Sequence, residues 1–371
     1  MSCMKHLCIA GGGTGGHVMP ALALADAVRS CDADVSVSFI GAKRGLEASL
    51  LPERGEDVLL LDMHAVQGAG LIQKLRVLFW ELPRSVFKIC QVWKQHKPTV
   101  LVGVGGYASV AGVVAAFISR VPVVLYEQNA IPGLVNRVLY RICDTMMLGF
   151  SFAAKHFRHP DKVVVTGNVI RADVLRVTYH LQHTPCLLIM GGSQGAMFLN
   201  ETVPQACRNL ARQGRVFRVI HLVGAGDGRV EKVQALYDAA GIQADVQHFS
   251  SDMPALYQQA SLMIARAGAM TVGEAAAVGM PSLFVPLPWA ADNHQYFNAL
   301  VMQEAGAARI IQQKTCDVAR LSREIGAILF DKAVLQAMSD AAKAVAIRDA
   351  DKRQVDVLSP LLGMRMLEVK A

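Results

Sequence analysis

Two residues with clear chemical potential follow glycine-rich turns in this chain of 371 residues. His17 comes directly after Gly11–Gly16, where five of six positions are glycine, and Glu274 follows the turn at Gly268. A helix start after the first turn would keep the His17 imidazole neutral and able to accept a proton. A carboxylate such as that of Glu274 can accept hydrogen bonds from both hydroxyl groups of a ribose. The alternatives are that His17 caps or packs a helix, and that Glu274 complements a helix dipole in its first turn.

The first glycine turn contains the pattern GxGxxG at Gly11, Gly13 and Gly16, which also occurs in dinucleotide-binding proteins. Those proteins place an acidic residue at the end of the second strand to hold the ribose. Here the predicted second strand is followed by residues 41–44, Gly-Ala-Lys-Arg, which contain no acid. No GK[ST] sequence follows either, so the turn is not a P-loop. NAD, or NADP held through Arg44, remains an alternative that the pattern only weakly favours.

Two further glycine turns could approach an anion closely, because exposed N–H groups at helix N-termini bind phosphates. One spans residues 103–107 and could equally allow a helix to pack closely on a sheet. The other spans residues 191–196, where Ser193 could donate a hydrogen bond to a phosphate oxygen. The three turns together predict a phosphate-bearing ligand.

Short β-branched runs alternate with longer helical patterns, which indicates βαβ units and parallel sheets. Residues 171–185 lose this periodicity and are predicted to link two α/β domains, each opening with a strand, a glycine turn and a helix. Helical segments from 321 to 367 should end the chain, with a break near Pro360. Ligands of such sheets bind beyond the carboxyl ends of the strands.

Composition excludes a disordered or fibrous chain, because 53% of the residues are hydrophobic and only 18% are charged. The net charge of +7 favours anionic partners such as phosphates or acidic lipid. Nucleic acid is not expected as a partner, since only 6% of residues are aromatic and no basic stripe or RNA-binding signature is present. No apolar run reaches the ~20 residues of a membrane span, and no signal segment precedes Gly11, which predicts a cytosolic protein.

Residues 68–98 combine apolar and basic side chains in a way that suits an anionic membrane surface. The alternative is an amphipathic helix with one face in the core and a solvated basic face. No metal is expected, because the acidic pairs Asp32/Asp34 and Asp349/Asp351 lie away from the predicted strand ends that bind ligands. The basic residues of this segment are Lys74, Arg76, Arg84, Lys88, Lys94 and Lys97, and its leading apolar residues are Leu71, Ile72, Leu75, Leu78, Phe79 and Trp80.

Seven short strings occur in an order that resembles the MurG family of peptidoglycan glycosyltransferases, which belongs to glycosyltransferase family 28. The resemblance implies an α/β protein of the GT-B class, with two Rossmann-like, doubly wound parallel-sheet domains facing across a cleft. It implies an acceptor-binding, membrane-facing domain at 1–166, completed by a C-terminal helix at 347–371, and a UDP-GlcNAc-binding domain at 167–346. The strings are GGGTGGH (11–17), GVGGY (103–107), EQN (127–129), GNVIR (167–171), GGSQGA (191–196), GAMTVGE (268–274) and DNHQYFNA (292–299).

The implied activity is the inverting transfer of GlcNAc from UDP-GlcNAc to undecaprenyl-pyrophosphoryl-MurNAc-pentapeptide (lipid I), which gives lipid II. The enzyme would need no cofactor and would lie peripherally at the cytoplasmic face of the bacterial inner membrane. Contacts with other proteins of cell-wall synthesis and cell division are also implied. The alternatives are another GT-B transferase with a lipid acceptor and a non-catalytic protein that binds a nucleotide sugar.

The resemblance also implies roles for individual residues. Glu274 takes the ribose hydroxyls. The candidate general base comes from the residues themselves: His17 is the one titratable group of the first glycine turn, and Glu127 is second. Val169, Ala267 and residues 249–252 depart from the family pattern, and the last of these departures puts side-chain packing on the uracil base in doubt. The implied substrate-binding residues are Thr14, Gly15, Gly16, Asn129, Arg171, Ser193, Ser250, Ala269, Met270, Thr271, Val272, Gly273, Glu274 and Gln295.

Overall fold

The computed structural model describes residues 5–13, 15–64, 70–192 and 195–364, without the side chains of Leu71 and Lys74. The chain divides into two compact units. The first unit consists of Met1–Val169 together with Asp349–Ala371, and the second consists of Ile170–Arg348. Each unit is built on one sheet in which every strand pairing is parallel.

The sheet of the first unit has the order β3-β2-β1-β4-β5-β6-β7 in the described part of the chain. Its central strands are buried on both faces, which is why they appear in the sequence as continuous apolar runs rather than alternating ones. Leu7, Ile9, Leu101 and Val102, for example, are at most 1% exposed. The strands are β1 His6–Gly11, β2 Ser36–Ala42, β3 Asp57–Leu61, β4 Val100–Gly105, β5 Val123–Glu127, β6 Thr145–Leu148 and β7 Val163–Val165.

Helices cover the sheet of the first unit, and the last helix of the chain belongs to this unit. A π-helical turn, Val77–Glu81, joins α3 to α4. Leu358 and Leu362 of the last helix share a core cluster with Leu22 and Val28 of α1. The helices are α1 Gly15–Cys31, α2 Glu47–Glu53, α3 Leu71–Arg76, α4 Leu82–Trp93, α5 Tyr107–Ser119, α6 Leu134–Leu139 and, after the second unit, α15 Ala350–Leu362.

The predicted helix break near Pro360 is wrong, because α15 continues through this proline. The helix ends instead at Gly363, whose left-handed backbone (φ 63°) terminates it. Leu358 and Leu362 are buried on either side of Pro360, so core packing holds the last turn together. The breaks lie instead between Leu329 and Lys332 and between Val345 and Ala350.

The sheet of the second unit has the order β10-β9-β8-β11-β12-β13 within the described residues. Two elements were not predicted from the sequence: strand β13, Ala308–Ile310, and helix α7, Ala172–Leu175. Helix α7 lies within the predicted linker at 171–185. The strands are β8 Cys186–Met190, β9 Arg218–Leu222, β10 Gln243–Gln247, β11 Leu262–Ala265, β12 Ser282–Phe284 and β13 Ala308–Ile310. The helices are α7 Ala172–Leu175, α8 Met197–Arg212, α9 Arg229–Asp238, α10 Met253–Gln259, α11 Ala269–Val278, α12 His294–Glu304, α13 Val318–Leu329 and α14 Lys332–Val345.

Strand order reverses once in each sheet, between β1 and β4 in the first unit and between β8 and β11 in the second. Ligands of open parallel sheets bind at this reversal, outside the carboxyl ends of the strands. The glycine turns at residues 11–16, 103–107 and 191–196 and the turn at 265–268 follow these four strands. The fold therefore places all four turns at the expected ligand positions of their own unit. Of the described helices, none is both long and apolar enough to cross a bilayer.

Candidate active site

His17 lies in the first turn of α1, directly after the glycine turn. Its Nδ1 is 3.1 Å from the carbonyl oxygen of Gly12. A carbonyl oxygen can only accept a hydrogen bond, so Nδ1 carries the proton of the neutral ring and Nε2 carries the lone pair. The local geometry therefore gives the imidazole the tautomer that a general base acting through Nε2 requires.

The second glycine turn packs against the first and against the His17 ring. The amide of Gly12 donates to the carbonyl oxygen of Gly105 (3.3 Å), where the backbone of Gly105 has φ 102°. A Cβ at Gly105 would lie 2.9 Å from Nε2 of His17, closer than real side chains approach. The turn at residues 103–107 therefore packs closely against the first glycine turn and holds the ring of His17. Binding of an anion by these residues stays a prediction.

A residue that the sequence did not single out, Glu47, holds the first glycine turn in place. Its side chain is buried, and its two carboxylate oxygens accept hydrogen bonds from the amides of Gly13 (2.8 Å) and Ala42 (2.9 Å). A Cβ at Gly12 or Gly45 would overlap this carboxylate. No local sequence pattern flags this contact, because Glu47 lies 34 positions after Gly13.

Glu127, the second candidate for the base, ends β5 with a buried carboxylate that the neighbouring loop surrounds. Oε1 accepts from the backbone amide of Asn129 (2.9 Å) and from its side-chain amide (3.2 Å). Oε2 accepts from the amide of Gly133 and from the side chain of Asn136, both at 2.9 Å. Because both carboxylate oxygens of Glu127 accept hydrogen bonds from this loop, the side chain stabilises the loop that carries Asn129.

In the second unit, α8 follows β8 and α11 follows β11, and these two strands are the neighbours at the sheet reversal. Ala269, Met270 and Thr271 form the first turn of α11, and Val272 and Gly273 follow them. Gly15 and Gly16 occupy the corresponding first turn of α1 in the first unit. Two predicted binding residues, Thr14 and Ser193, lie outside the described residues.

Glu274 does not lie in the first turn of α11, as the sequence interpretation assumed, but in the second. The hydroxyl of Tyr257 donates to Oε2 at 2.8 Å, and Nε of Arg171 lies 3.5 Å from Oε1. Burial raises the pKa of Glu274, although Tyr257 and Arg171 act in the opposite direction. A carboxylate in this position is oriented by Tyr257 rather than by the helix dipole, and sequence reasoning missed that tyrosine.

The remaining predicted donor contacts lie in loops or helix starts of the second unit. Ser250 precedes α10, and its hydroxyl accepts from the amide of Asp252 (3.1 Å). Gln295 is the second residue of α12, and its Oε1 accepts from the amide of Leu287 (3.0 Å). Over the described ranges, no group of three or more His, Cys, Asp or Glu side chains is arranged to hold a metal ion.

Two doubly wound parallel sheets, each with its strand-order reversal, form the GT-B architecture. The chain belongs to glycosyltransferase family 28. The N-terminal domain of that family matches residues 7–148, and its C-terminal domain matches residues 186–354.

The similarity extends over nearly the whole chain. A UDP-N-acetylglucosamine–N-acetylmuramyl-(pentapeptide) pyrophosphoryl-undecaprenol N-acetylglucosamine transferase from Anaeromyxobacter sp. (strain Fw109-5) is 39% identical, covering 97% of this chain and 94% of the relative. The enzyme of the same name from Alcanivorax borkumensis is 40% identical over 91% of this chain and 96% of its own. A crystal structure of Acinetobacter baumannii MurG has a TM-score of 0.81 and 33% identity, covering 96% of this chain and 99% of that one.

Proposed function

We propose that the chain catalyses the reaction that the names of these relatives describe, the transfer of N-acetylglucosamine from UDP-GlcNAc to lipid I. The observation that carries this proposal is 39% identity along 97% of the chain, with both family domains present. The product is lipid II, the disaccharide precursor of peptidoglycan. The two sheet reversals supply a separate ligand position for each substrate.

The reaction is a single displacement with inversion. A hydroxyl oxygen of the MurNAc sugar attacks the anomeric carbon of GlcNAc, the bond from that carbon to the phosphate oxygen breaks, and UDP leaves with the electron pair. The hydroxyl proton passes to Nε2 of His17, the ring nitrogen that holds the lone pair. Base catalysis of this kind contributes about 10²–10⁴-fold to rate. The occupied carboxylate of Glu127 favours His17 for this role.

UDP-GlcNAc is assigned to the second unit. Two groups suit the diphosphate: the N-terminal turn of α11, because helix N-termini offer amide donors to an anion, and Arg171, because its guanidinium is positively charged. Glu274 suits the ribose hydroxyls through the oxygen that faces Arg171, while Tyr257 holds the other oxygen. We assign Ser250 to the uracil base, Gln295 to the sugar hydroxyls and Ser193 to a phosphate. The residues of the first unit that are assigned to the donor are Thr14, Gly15, Gly16 and Asn129.

Charge that develops on the departing diphosphate can be stabilised by fixed amide donors and Arg171. We therefore infer that catalysis requires no metal ion. The acidic pairs considered from the sequence serve other purposes in the structure. Asp32 forms an ion pair with Lys5 (2.6 Å), and Asp349 forms one with Arg353 (3.0 Å).

The membrane-bound acceptor needs an enzyme surface that meets a bilayer, and the segment from α3 to α4 supplies one. Large apolar side chains are exposed here: Ile72 is 86%, Phe79 71% and Trp80 67% exposed. An amphipathic helix with an ordinary core face would bury such groups, so this exposure supports peripheral attachment to an anionic membrane. We place the chain at the cytoplasmic face of the inner membrane, where partner proteins of cell-wall synthesis and division would meet it.

Calorimetry with UDP-GlcNAc, UDP-GalNAc and NADPH, followed by a transfer assay with a lipid I analogue, tests the proposed reaction. We expect UDP-GlcNAc to bind most tightly, NADPH not to bind, and the disaccharide product to form. A preference for another nucleotide sugar, or donor binding without transfer to the analogue, would contradict the assignment.

A further inference from the structure

A buried arginine, Arg266, lies between the end of β11 and the turn at Gly268 from which α11 begins. It is 8% exposed, and no carboxylate pairs with it in the described part of the chain. Neutral oxygens hold its guanidinium instead. Nη1 donates to the carbonyl oxygens of Val285 (2.8 Å) and Pro286 (3.2 Å), and Nη2 donates to Oε1 of Gln313 (2.7 Å).

The stability of the fold does not explain this arginine. Burying a charge without an opposite charge costs free energy, and neutral acceptors compensate for only part of that cost. Nε of Arg266 is buried without a hydrogen-bond partner among the described residues, which adds to the cost. Replacing a buried charged group by an apolar one of similar size is often neutral for folding. The contacts of Arg266 are therefore better explained by what they position.

Both carbonyl oxygens that Nη1 contacts belong to the loop at residues 285–290, which follows β12 and is called the β12 loop below. The next residue of this loop, Leu287, donates its amide proton to Oε1 of Gln295 (3.0 Å). Because an amide N–H can only donate, Oε1 is the atom engaged, and Nε2 keeps two N–H donors for a ligand. The orientation of Gln295 thus depends on the position of the β12 loop.

Helix α12, which carries Gln295, is tied to the same turn as Arg266. One turn after Gln295, Nδ2 of the buried Asn298 donates to the carbonyl oxygen of Ala267 (3.1 Å), the residue that follows Arg266. The helix is therefore held through Asn298, and the β12 loop is held through Arg266. Together these contacts fix Gln295 relative to the first turn of α11, where the diphosphate of the donor is proposed to bind.

We propose that Arg266 is a positioning residue for sugar specificity: it holds the β12 loop so that Nε2 of Gln295 donates to a sugar hydroxyl in one configuration only. The inference rests on the proposed function, in which Gln295 meets the sugar hydroxyls, and makes it more specific. A donor in a fixed position discriminates between two hydroxyl configurations more strongly than a mobile one, because the wrong configuration leaves polar groups unpaired.

The test is calorimetry of the full chain with UDP-GlcNAc, with UDP-GalNAc, which differs in the configuration of one sugar hydroxyl, and with UDP, which has no sugar. The variant R266M removes the three donated hydrogen bonds and keeps an apolar side chain of similar length. We expect the preference for UDP-GlcNAc over UDP-GalNAc to fall by about tenfold or more, and the affinity for UDP to change by less than about twofold. R266K, which can still donate to the loop, should lose less of the preference.

A second pair of variants tests whether Arg266 acts through Gln295. Q295L should lose the preference as well, and the double variant R266M/Q295L should lose no more than Q295L alone, because the two residues act on one contact. Q313L keeps the arginine and removes only the acceptor of Nη2, so the preference should fall by about threefold.

The matched control is R309M, which removes an arginine of β13 in the same sheet. Nη1 of Arg309 pairs with Glu324 (2.8 Å), and this ion pair lies outside the network of Arg266. R309M should keep the full preference for UDP-GlcNAc. Thermal unfolding of each variant verifies that it is folded.

Equal losses of affinity for UDP and UDP-GlcNAc in R266M would overturn the proposal, because Arg266 would then act on the diphosphate or on the fold. An unchanged preference in R266M, or in Q313L where R266M does not fold, would overturn it too, and so would additive losses in R266M/Q295L. A preference that survives in Q295L would overturn the role of Gln295 and the inference with it. The proposed function fails separately, if the unaltered chain does not prefer UDP-GlcNAc to UDP-GalNAc.

Discussion

His17 is held by groups on both sides of its ring, and its expected role can be tested with one substitution. We expect His17→Ala to lower kcat by about a hundredfold or more, because the variant lacks the imidazole that is proposed to accept the hydroxyl proton, while KM for UDP-GlcNAc changes little. Steady-state kinetics measures both constants. His96→Ala, which alters an exposed histidine of the same unit, is the control. Nearly normal turnover of His17→Ala would assign the base to another residue.

Glu274 predicts a pH dependence of donor binding. Burial raises its pKa above the 4.5 that is ordinary for glutamate, and only the ionised carboxylate can accept from both ribose hydroxyls. The phosphates of UDP-GlcNAc stay ionised over this range. The affinity for UDP-GlcNAc should therefore be highest above the raised pKa of Glu274 and should fall as the pH is lowered through it. Calorimetry across this range should show the fall in the unaltered chain. In Glu274→Gln, affinity should be lower throughout and flat with pH; a fall of the same size in that variant would rule out Glu274 as its source.

At the scale of elements, the two glycine turns of the first unit depend on each other. Gly105→Ala would push a methyl group against Nε2 of His17 and strain a backbone with φ 102°. We expect kcat to fall by about tenfold or more, since a displaced base loses its alignment. Kinetics together with thermal unfolding separates loss of alignment from loss of fold.

Gly55→Ala is the matched control for backbone strain, because Gly55 also has a positive φ (72°) but no atom within 4 Å of its Cβ position. It should lose stability without losing kcat. Equal losses of kcat in both variants would mean that backbone strain, and not contact with His17, is responsible.

The segment from α3 to α4 makes a prediction at the same scale. Replacing Lys74, Arg76 and Arg84 by glutamate reverses the charge beside the exposed apolar side chains, and each basic residue near an anionic surface contributes about 1 kcal/mol. Binding to anionic vesicles in a sedimentation assay should be abolished, while binding of UDP-GlcNAc is retained. Undiminished vesicle binding would support the interpretation as an ordinary amphipathic helix.

For the whole molecule, the central prediction is catalysis without a metal ion. After exhaustive chelation and dialysis, transfer to a lipid I analogue should continue at about its original rate, because we propose that amide donors and Arg171, and not a cation, stabilise the leaving diphosphate. Loss of activity that only Mg²⁺ or Mn²⁺ restores would contradict this and assign the charge stabilisation to a bound cation.

Local sequence patterns were sufficient for much of the architecture. Runs such as residues 100–104 and 262–265 predicted buried strands, because strands covered on both faces are apolar throughout. The helix start at His17 also followed from its neighbours. Strand β13 was missed because its three residues, Ala-Arg-Ile, lack the β-branched run that indicates the equally short strand β7, Val-Val-Val. The helix break predicted near Pro360 is wrong because the burial of Leu358 and Leu362 outweighs the tendency of proline to break a helix. Local sequence does not reveal this burial.

The amino-acid sequence by itself determined where glycine turns interrupt the strands and which titratable residues follow them, since turn chemistry and helix starts depend on adjacent residues. Only the tertiary structure decided what those residues contact. Glu47 reaches Gly13 across 34 positions, and Tyr257 reaches Glu274 across 17. The physical reason is that such contacts depend on strand order and helix packing, which bring distant segments together through burial of their shared apolar faces.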